Sequence, residues 1–461
     1  MIVVPMGSVF GGCGSSSSTS PDGGVGGGPD GSLTGGGGDL SRDGSAACTA
    51  ATPDDKVAIF VDGAAGFDTS CGSRTQPCET IAEGIAAANA TAGKTIVHVA
   101  GGTYTEAIDL DGKKLTHGTL QIDGGWRNDG GTFTRACADD PRRLVVVKPA
   151  AENVTVRARG LEGALTLKTM LLQTKDAAPG ESLYGVFASG AAAVVQLDDV
   201  AIEVGAGGAG ATPAQPAQPA QASVGCPSGS GLAGGAGGAT TGAASAAAYT
   251  AAGYTPGAGP AGSAGLAGSH GIAGAVTTKT GFNCDFDTCQ AVACTSTSTP
   301  GANGCGGAAG LAGAGGAGGG ASIGIYAWDA TVTVGSSSIK TAGGGVGGLG
   351  GVGGLGGAGG VGAAGVDGES CGTSCMGLPA PPDPHCKTVN AQQAPANPGG
   401  TGGAGGNGSD GGPGPGGDSY CAYKGGAGKI NATHLDCAQG GGGAGGTGAP
   451  AAPTGASAAS N

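Results

Sequence analysis

The feature that most constrains this chain is glycine at every third residue, sustained through four long blocks. It recurs in register from Gly259 to Gly274 (six times), Gly301 to Gly319 (seven), Gly344 to Gly368 (nine) and Gly399 to Gly417 (seven), with shorter pieces from Gly231 to Gly237 and Gly442 to Gly448. A period of three is neither the 3.6 of an α-helix nor the 2 of a strand. It belongs to the extended polyproline II helix, which rises ~3.1 Å per residue and forms no hydrogen bonds within itself. Every donor and acceptor in such a rod must find a neighbouring rod or water.

Three arrangements compete. A collagen triple helix needs Pro in the other positions, and only GPAGSAGLAGSHGIAGAV (259–276) has that texture. Plain disorder is the bland alternative, because Gly loses more freedom on ordering than any other residue. The third is a bundle of polyglycine II rods, in which Gly at every third place lets backbones approach closely enough to bond to one another. Blocks of comparable length separated by Cys, Asn and Pro (Cys284 to Cys305, Cys371 to Cys386, Cys421) fit antiparallel reversals. The bundle is the expected arrangement.

Composition narrows the function. With 108 Gly in 461 residues, 3% aromatic and 11% charged side chains, too few large residues remain for an ordinary enzyme spread over the whole length. A mean hydropathy of +0.06 excludes a charge-rich disordered chain. The net charge of −13 leaves no basic face for nucleic acid or anionic lipid. No apolar run reaches the ~18 residues of a spanning helix.

The start, MIVVPMGSVFGGCGSSSSTSPDGG, has an apolar run from Ile2 to Phe10, two small residues, then Cys13 and a Ser/Gly stretch. It resembles a bacterial lipobox, which implies that 1–13 is the remnant of a lipoprotein signal, that Cys13 is acylated, and that 14–54 is a flexible tether. The apolar run is short and no Lys or Arg precedes it, so the native start is expected upstream of Met1. Membrane association would then be through the lipid anchor only, placing the protein outside the cytoplasm, at the envelope or outer surface or secreted.

Fourteen cysteines remain: Cys48, Cys71, Cys78, Cys137, Cys226, Cys284, Cys289, Cys294, Cys305, Cys371, Cys375, Cys386, Cys421 and Cys437. An even number suits disulfides in an oxidising compartment, although spacing does not dictate the pairing. Cys71 with Cys78 and Cys371 with Cys375 are the plausible local loops. Metal is the alternative, through Cys284, Cys289 and Cys294 or through Cys375, His385 and Cys386. Outside the cytoplasm disulfides are preferred, and no cofactor or metal is expected.

Between the tether and the glycine blocks the texture is different. Val57 to Val61 is β-branched, Glu79 to Ala90 has helical spacing, and Thr95 to Ala100 is a second strand. Short strand-like pieces follow at Thr119 to Asp123, Leu144 to Lys148, Asn153 to Arg157, Leu165 to Leu172, Gly185 to Ala188, Val194 to Leu197 and Val200 to Val204. An internal repeat aligns Tyr184–Ala188 (YGVFA) with Ile323–Ala327 (IGIYA) at an offset of 139, a register that would place Val195 on Val334 and Val200 on Ile339. Each copy runs straight into glycine, so the chain is expected to leave a solenoid for a glycine excursion and return.

The run IFVDGAAGFDTSCGSRTQPCETIAEGIAAANATAGKTIVHVAGGTYTEAI, Ile59 to Ile108, resembles the opening of bacterial right-handed parallel β-helix proteins of the pectate-lyase-like class. The later IDGGW (Ile122 to Trp126) and TFTR (Thr132 to Arg135) are similar to Gly-rich myxobacterial-type surface lipoproteins. The glycine blocks resemble the rods of small Gly-x-x antifreeze proteins and phage tail-tip adhesins. These resemblances imply an all-β chain: a right-handed parallel β-helix with an N-terminal helical cap, interrupted by long Gly-rich insertions that form a polyglycine II bundle. The expected divisions are a capped β-helix at 55–205, a Gly-rich insertion with a Cys cluster at 206–320, a returning rung at 321–342, and a second insertion at 343–461 with a short rung at 429–437.

Catalytic constellations are sparse. Asp198, Asp199 and Glu203 share one expected rung and Arg157, Arg159 and Lys168 lie on earlier ones, but adjacent strand residues face opposite ways unless a turn separates them. His98, His117, His270, His385 and His434 form no paired motif, and no nucleophile elbow is present. GGNGSD (405–410) matches half of a calcium nonapeptide without a second copy. Asn89, Asn153, Asn407 and Asn431 head N-x-S/T sites that matter only in a eukaryotic secretory route. The expectation is an exported, lipid-anchored structural or adhesion protein without catalytic activity, in contact with surface glycans or further copies of itself. The alternatives are a carbohydrate-active β-helix lyase or hydrolase and an ice- or surface-binding protein.

Overall fold

The computed structural model describes residues 52–136, 144–217, 226, 233–284, 291–369, 393–433, 435–448 and 450–461. In chain order its first elements are β1 (Ala58–Val61), α1 (Ile81–Ala90), β2 (Ile96–Ala100), β3 (Gly102–Tyr104), β4 (Ile108–Asp109) and β5 (Lys114–Asp129). Next come β6 (Thr132–Arg135), β7 (Val145–Val147), β8 (Val154–Arg159), β9 (Glu162–Gln173), β10 (Leu183–Ser189) and β11 (Ala193–Val204). The glycine-rich half carries β12 (Ala248–Thr250), β13 (Gly253–Thr255), β14 (Thr278–Cys284), β15 (Ala291–Thr297), β16 (Ser322–Trp328) and β17 (Thr331–Val334). The last are β18 (Ser337–Thr341), β19 (Ser419–Gly425), β20 (Lys429–Ala432), β21 (Leu435–Ala438) and β22 (Ser457–Ser460).

The chain is all-β apart from α1, the single helix among the described residues, and no helix among them is long and apolar enough to cross a membrane. Thr80 caps α1 by accepting the Glu83 N–H (3.1 Å), while the Glu83 carboxylate accepts the Thr80 N–H (3.0 Å). Glu106, from the chain beyond β3, accepts the N–H groups of Ile81 and Ala82 and satisfies two further orphan donors of the first turn. The helix buries Ile81, Gly84, Ile85 and Ala88 against the start of the sheet. Gly84 is required there, because a Cβ would stand 2.5 Å from a Val61 methyl.

Two sheets hold most strands. One has the path β1-β2-β5-β9-β11-β17-β20 with β3, β6, β7, β18 and β21 attached, and the other runs β4-β8-β10-β16-β19-β22. All pairs in them are parallel except β5 with β6. Parallel register stacks like on like. Val97, Ile122, Leu167, Leu197 and Val334 form one column, each at most 1% exposed. Val156, Val186 and Ile325 form another, fully buried. Burying each such side chain contributes about 1.5–3 kcal/mol.

The long strands contain a break in alternation. In β11 the buried positions run Val195, Leu197 and then Val200, Ile202, Val204, and in β9 Leu165, Leu167 and then Met170, Leu172. The slip falls at Asp199 (φ 56°) and Thr169 (φ 51°), both left-handed, which turns the next residue back to the core. The two halves of β11 accordingly pair with different strands, β17 and β18.

The internal repeat is a true strand pair over its first half: Tyr184 faces Ile323 and Ala188 faces Ala327, at the offset of 139. Beyond it the register differs from the expected one. Val195 pairs Val332 and Ile202 pairs Ile339, at 137, because Val194 follows Ser189 by five residues whereas its partner Thr331 follows Trp328 by three. A shift of two keeps every side chain on its face. The chain also rejoins the sheets through β19 and β22, at Ser419 and Ser457, in addition to 429–437.

Between sheet strands the glycine blocks bond to one another every three residues. Gly259, Gly262, Gly265, Gly268, Gly271 and Gly274 donate to Gly316, Gly313, Gly310, Gly307, Gly304 and Gly301 at 2.8–3.1 Å, an antiparallel pairing. The block from Gly301 donates in parallel to 397–415, the block from Gly399 antiparallel to 345–363, and the block from Gly345 antiparallel to 302–320. These last three segments therefore form a closed cycle of donors. At many of these contact positions a side chain has no room. A Cβ on Gly405 would meet the Ala308 carbonyl oxygen at 1.9 Å, and one on Gly356 the Gly405 oxygen at 2.0 Å.

Alanine at Gly405 or Gly356 is therefore expected to destabilise the chain by ~1–3 kcal/mol or more, the cost of overpacking. Leu266→Ala, at a position 63% exposed, is expected to change stability by less than about 0.5 kcal/mol. Denaturant titration of the three variants checks the contrast.

Candidate functional site

Asp123, on β5, is a buried carboxylate held by several side chains. Trp126 Nε1–H (2.9 Å) and Arg135 Nη1–H (2.8 Å) donate to its carboxylate, and His98 Nδ1 lies 3.3 Å away, within ion-pair range. Arg135 also donates to Gly124 O and to Thr169 Oγ1, and its guanidinium lies over the Trp126 ring. Phe60 and Phe133 close the cluster. Burial pushes the Asp123 carboxyl up, but His98, the charge and hydrogen bond of Arg135 and the Trp126 donor together outweigh it and hold the pKa below the ordinary carboxylate range. Every polar atom of the carboxylate is engaged by the fold, so the group acts as a clamp fixing β6 onto the outer face of the sheet.

Six of the seven tyrosines gather with Phe187 and Trp328 on the second sheet and its covering hairpin β12–β13. Phe187, Tyr326 and Tyr423 are register neighbours, with ring centroids 4.8 and 5.3 Å apart, and Tyr249 stacks on Tyr423 at 4.0 Å. Tyr249 Oη donates to Asp418, and Tyr326 Oη donates to Thr250 O. Burial, then the Asp418 carboxylate, push the Tyr249 phenol far above its usual range, and burial does the same at Tyr254 and Tyr326. These phenols stay protonated, and the Tyr249 and Tyr326 hydroxyls dock the hairpin. A cleft of about 520 Å³ beside β1 is lined by Asp55, Phe60, Arg74 and Lys94. There Arg74 pairs with Asp55, and Lys94 Nζ donates to Ala58 O and Asp55 O.

Three disulfides are described: Cys71–Cys78, Cys226–Cys305 and Cys421–Cys437. They accord with an extracytoplasmic chain. His270 lies beside the second, its ligand nitrogen and both sulfurs within 4.8 Å of one another. The sulfurs are bonded to each other and His270 Nδ1 accepts the Gly306 N–H (2.9 Å), so the group is a cross-link between glycine segments. Cys284 and Cys294 fall on the antiparallel pair β14–β15. Cys13, Cys48, Cys137, Cys289, Cys371, Cys375, His385, Cys386 and His434 lie outside the described residues.

The carboxylates and bases singled out from sequence are not assembled into one site. The left-handed turn that would let Asp198 and Asp199 share a face is present at Asp199, yet Asp198 pairs with Lys168 (3.1 Å) and Glu203 accepts from Gln173 Nε2 (2.7 Å). Arg157 pairs with Asp109 and Glu152, and Arg159 with Asp111. Within GGNGSD, Asn407 and Asp410 accept the N–H groups of Gly356 and Gly353 and so extend the glycine bonding. Sequence reasoning placed Asp123, Trp126 and Arg135 in the IDGGW and TFTR motifs without assembling them, because His98 and Thr169 close the cluster from other strands, and it missed the tyrosine ladder, which joins residues distant in the chain. The remaining candidate is the outer surface of the glycine segments, where Val346, Leu349, Val352, Leu355 and Val361 stand exposed. No protein-family model, curated protein or solved structure matches the chain.

The depressed Asp123 pKa has a defined sign. Its contribution to stability is full above the unfolded value of ~3.9, shrinks as pH falls below it, and is gone once pH passes the folded value. Asp123→Asn is expected to cost ~1–3 kcal/mol at neutral pH and to flatten the acid limb. Thermal midpoints of both forms across acidic pH check this.

Proposed function

We propose that the chain is an exported cell-surface structural protein whose glycine segments form a rigid polyglycine II bundle carried on a right-handed parallel β-helix, serving as an adhesion or spacer module without catalytic activity. The three-residue pattern of backbone bonds carries this reading, since it supplies one donor–acceptor pair per triplet where no oily interior exists. Stacked parallel registers support the β-helix, and α1 would cap its first rung. Acylation at Cys13 and the tether to residue 54 belong to the same proposal, as do surface glycans or further copies of the chain as partners. Kinship with Gly-rich surface lipoproteins of the myxobacterial type is likewise proposed on the motifs of 59–135.

Hydrogen exchange read by mass spectrometry is expected to show slow amides across 259–274, 301–319, 344–363 and 399–417. Exchange there at the rate of free peptide would overturn the bundle. Incubation with pectin, alginate and related polymers is expected to give no turnover, whereas cleavage abolished by one Asp or Arg substitution would favour a carbohydrate-active enzyme.

A further inference from the structure

The glycine lattice dictates which positions face outward as well as which must be bare. In 344–363, the register of Gly350, Gly356 and Gly359 points at the 399–417 segment, where a Cβ would stand 1.8–2.0 Å from a carbonyl oxygen. The register of Gly345, Gly348 and Gly351 donates to 314–320. The third register is left for side chains, and it reads Val346, Leu349, Val352, Leu355, Ala358, Val361, Ala364. All seven are exposed; Val346, Leu349, Val352, Leu355 and Val361 retain 51, 46, 54, 49 and 70% of their surface.

At ~3.1 Å per residue these side chains repeat about every 9.3 Å along a straight row about 56 Å long. No Asp, Glu, Lys or Arg occurs from 343 to 366, although the chain as a whole carries −13. An uninterrupted aliphatic strip of this length is unusual on a monomer. Absence of charge at its centre is the composition of an interface core.

We propose that this row is a homodimer interface, in which two copies lay their 346–364 rows antiparallel across a two-fold axis near Leu355. The proposal rests on the bundle reading above. A partner must offer aliphatic groups on the same repeat to fill the gaps between successive side chains, and a second copy of the row does so in an isologous contact. The seven side chains expose on the order of 500 Å² per copy, so pairing removes about 1,000 Å², the lower bound for a specific interface. With no charge in the row, the net negative charge of each copy is kept out of the contact.

Sedimentation velocity of the full chain at rising concentration is expected to show conversion to twice the monomer mass. Leu349→Asp with Leu355→Asp, which sets like charges across the axis, is expected to weaken association at least ten-fold while leaving amide protection of 344–363 unchanged. Leu266→Asp, at a leucine also exposed but on a different segment, is expected to dimerise as the unaltered chain does. A chain that stays monomeric, or an aspartate variant that associates equally well, overturns the proposal. So does a monomer whose row binds phosphatidylcholine vesicles instead. Loss of amide protection in the unaltered chain would sink the bundle itself, and is read separately from mass.

Discussion

Backbone-to-backbone hydrogen bonding between glycine segments is the interaction on which the glycine-rich half of the molecule depends. In an ordinary domain, secondary structure satisfies the backbone and side chains supply the core. Here the two roles collapse into one, because the segments that bond to each other also pack against each other with nothing between them. Carbonyl oxygens occupy the space a Cβ would need, as at Gly304 against Gly360 O and Gly402 against Cys305 O. The cycle among 302–320, 345–363 and 397–417 gives each segment more than one bonded neighbour, so no segment is ordered by a single pairing.

The parallel sheets supply what the glycine segments lack, a conventional apolar interior that sets where each excursion begins and ends. One excursion leaves the first sheet at the end of β11 and enters the second at β16, another leaves at the end of β18 and enters at β19, and β16 and β19 are register neighbours. The handover is continuous in hydrogen bonding: Ala321 accepts from Leu183, Asp418 from Ser322, and Gly320 donates to Gly208. Registry in the sheet thereby sets registry in the glycine segments, and Cys226–Cys305 adds a covalent tie.

Much of the sheet was legible in sequence. Apolar patterning located most strands from Val57 to Val204, and helical spacing from Glu79 to Ala90 located α1. The break in β11 was legible, since Val194 to Leu197 and Val200 to Val204 read as separate pieces, whereas the break at Thr169 was hidden inside Leu165 to Leu172, because a left-handed non-glycine residue carries no local mark. The two-residue slip after the YGVFA repeat was hidden as well, because turn length is settled by how the chain closes and not by the strand pattern. The tyrosine ladder joins residues up to 169 positions apart in the chain, as Tyr249 and Asp418 show. In a chain this poor in aromatics their clustering is a tertiary fact.

Sequence by itself determined the period of three, the glycine in two of the three rows of 344–362, and the aliphatic character of the third. These follow from local geometry, because a rod with three residues per turn presents three fixed rows. Only the tertiary structure decided which segment lies beside which, in which direction, and hence that the Val346 to Val361 row faces water. Glycine blocks of one period are interchangeable to each other, and what distinguishes them is the strand at each end.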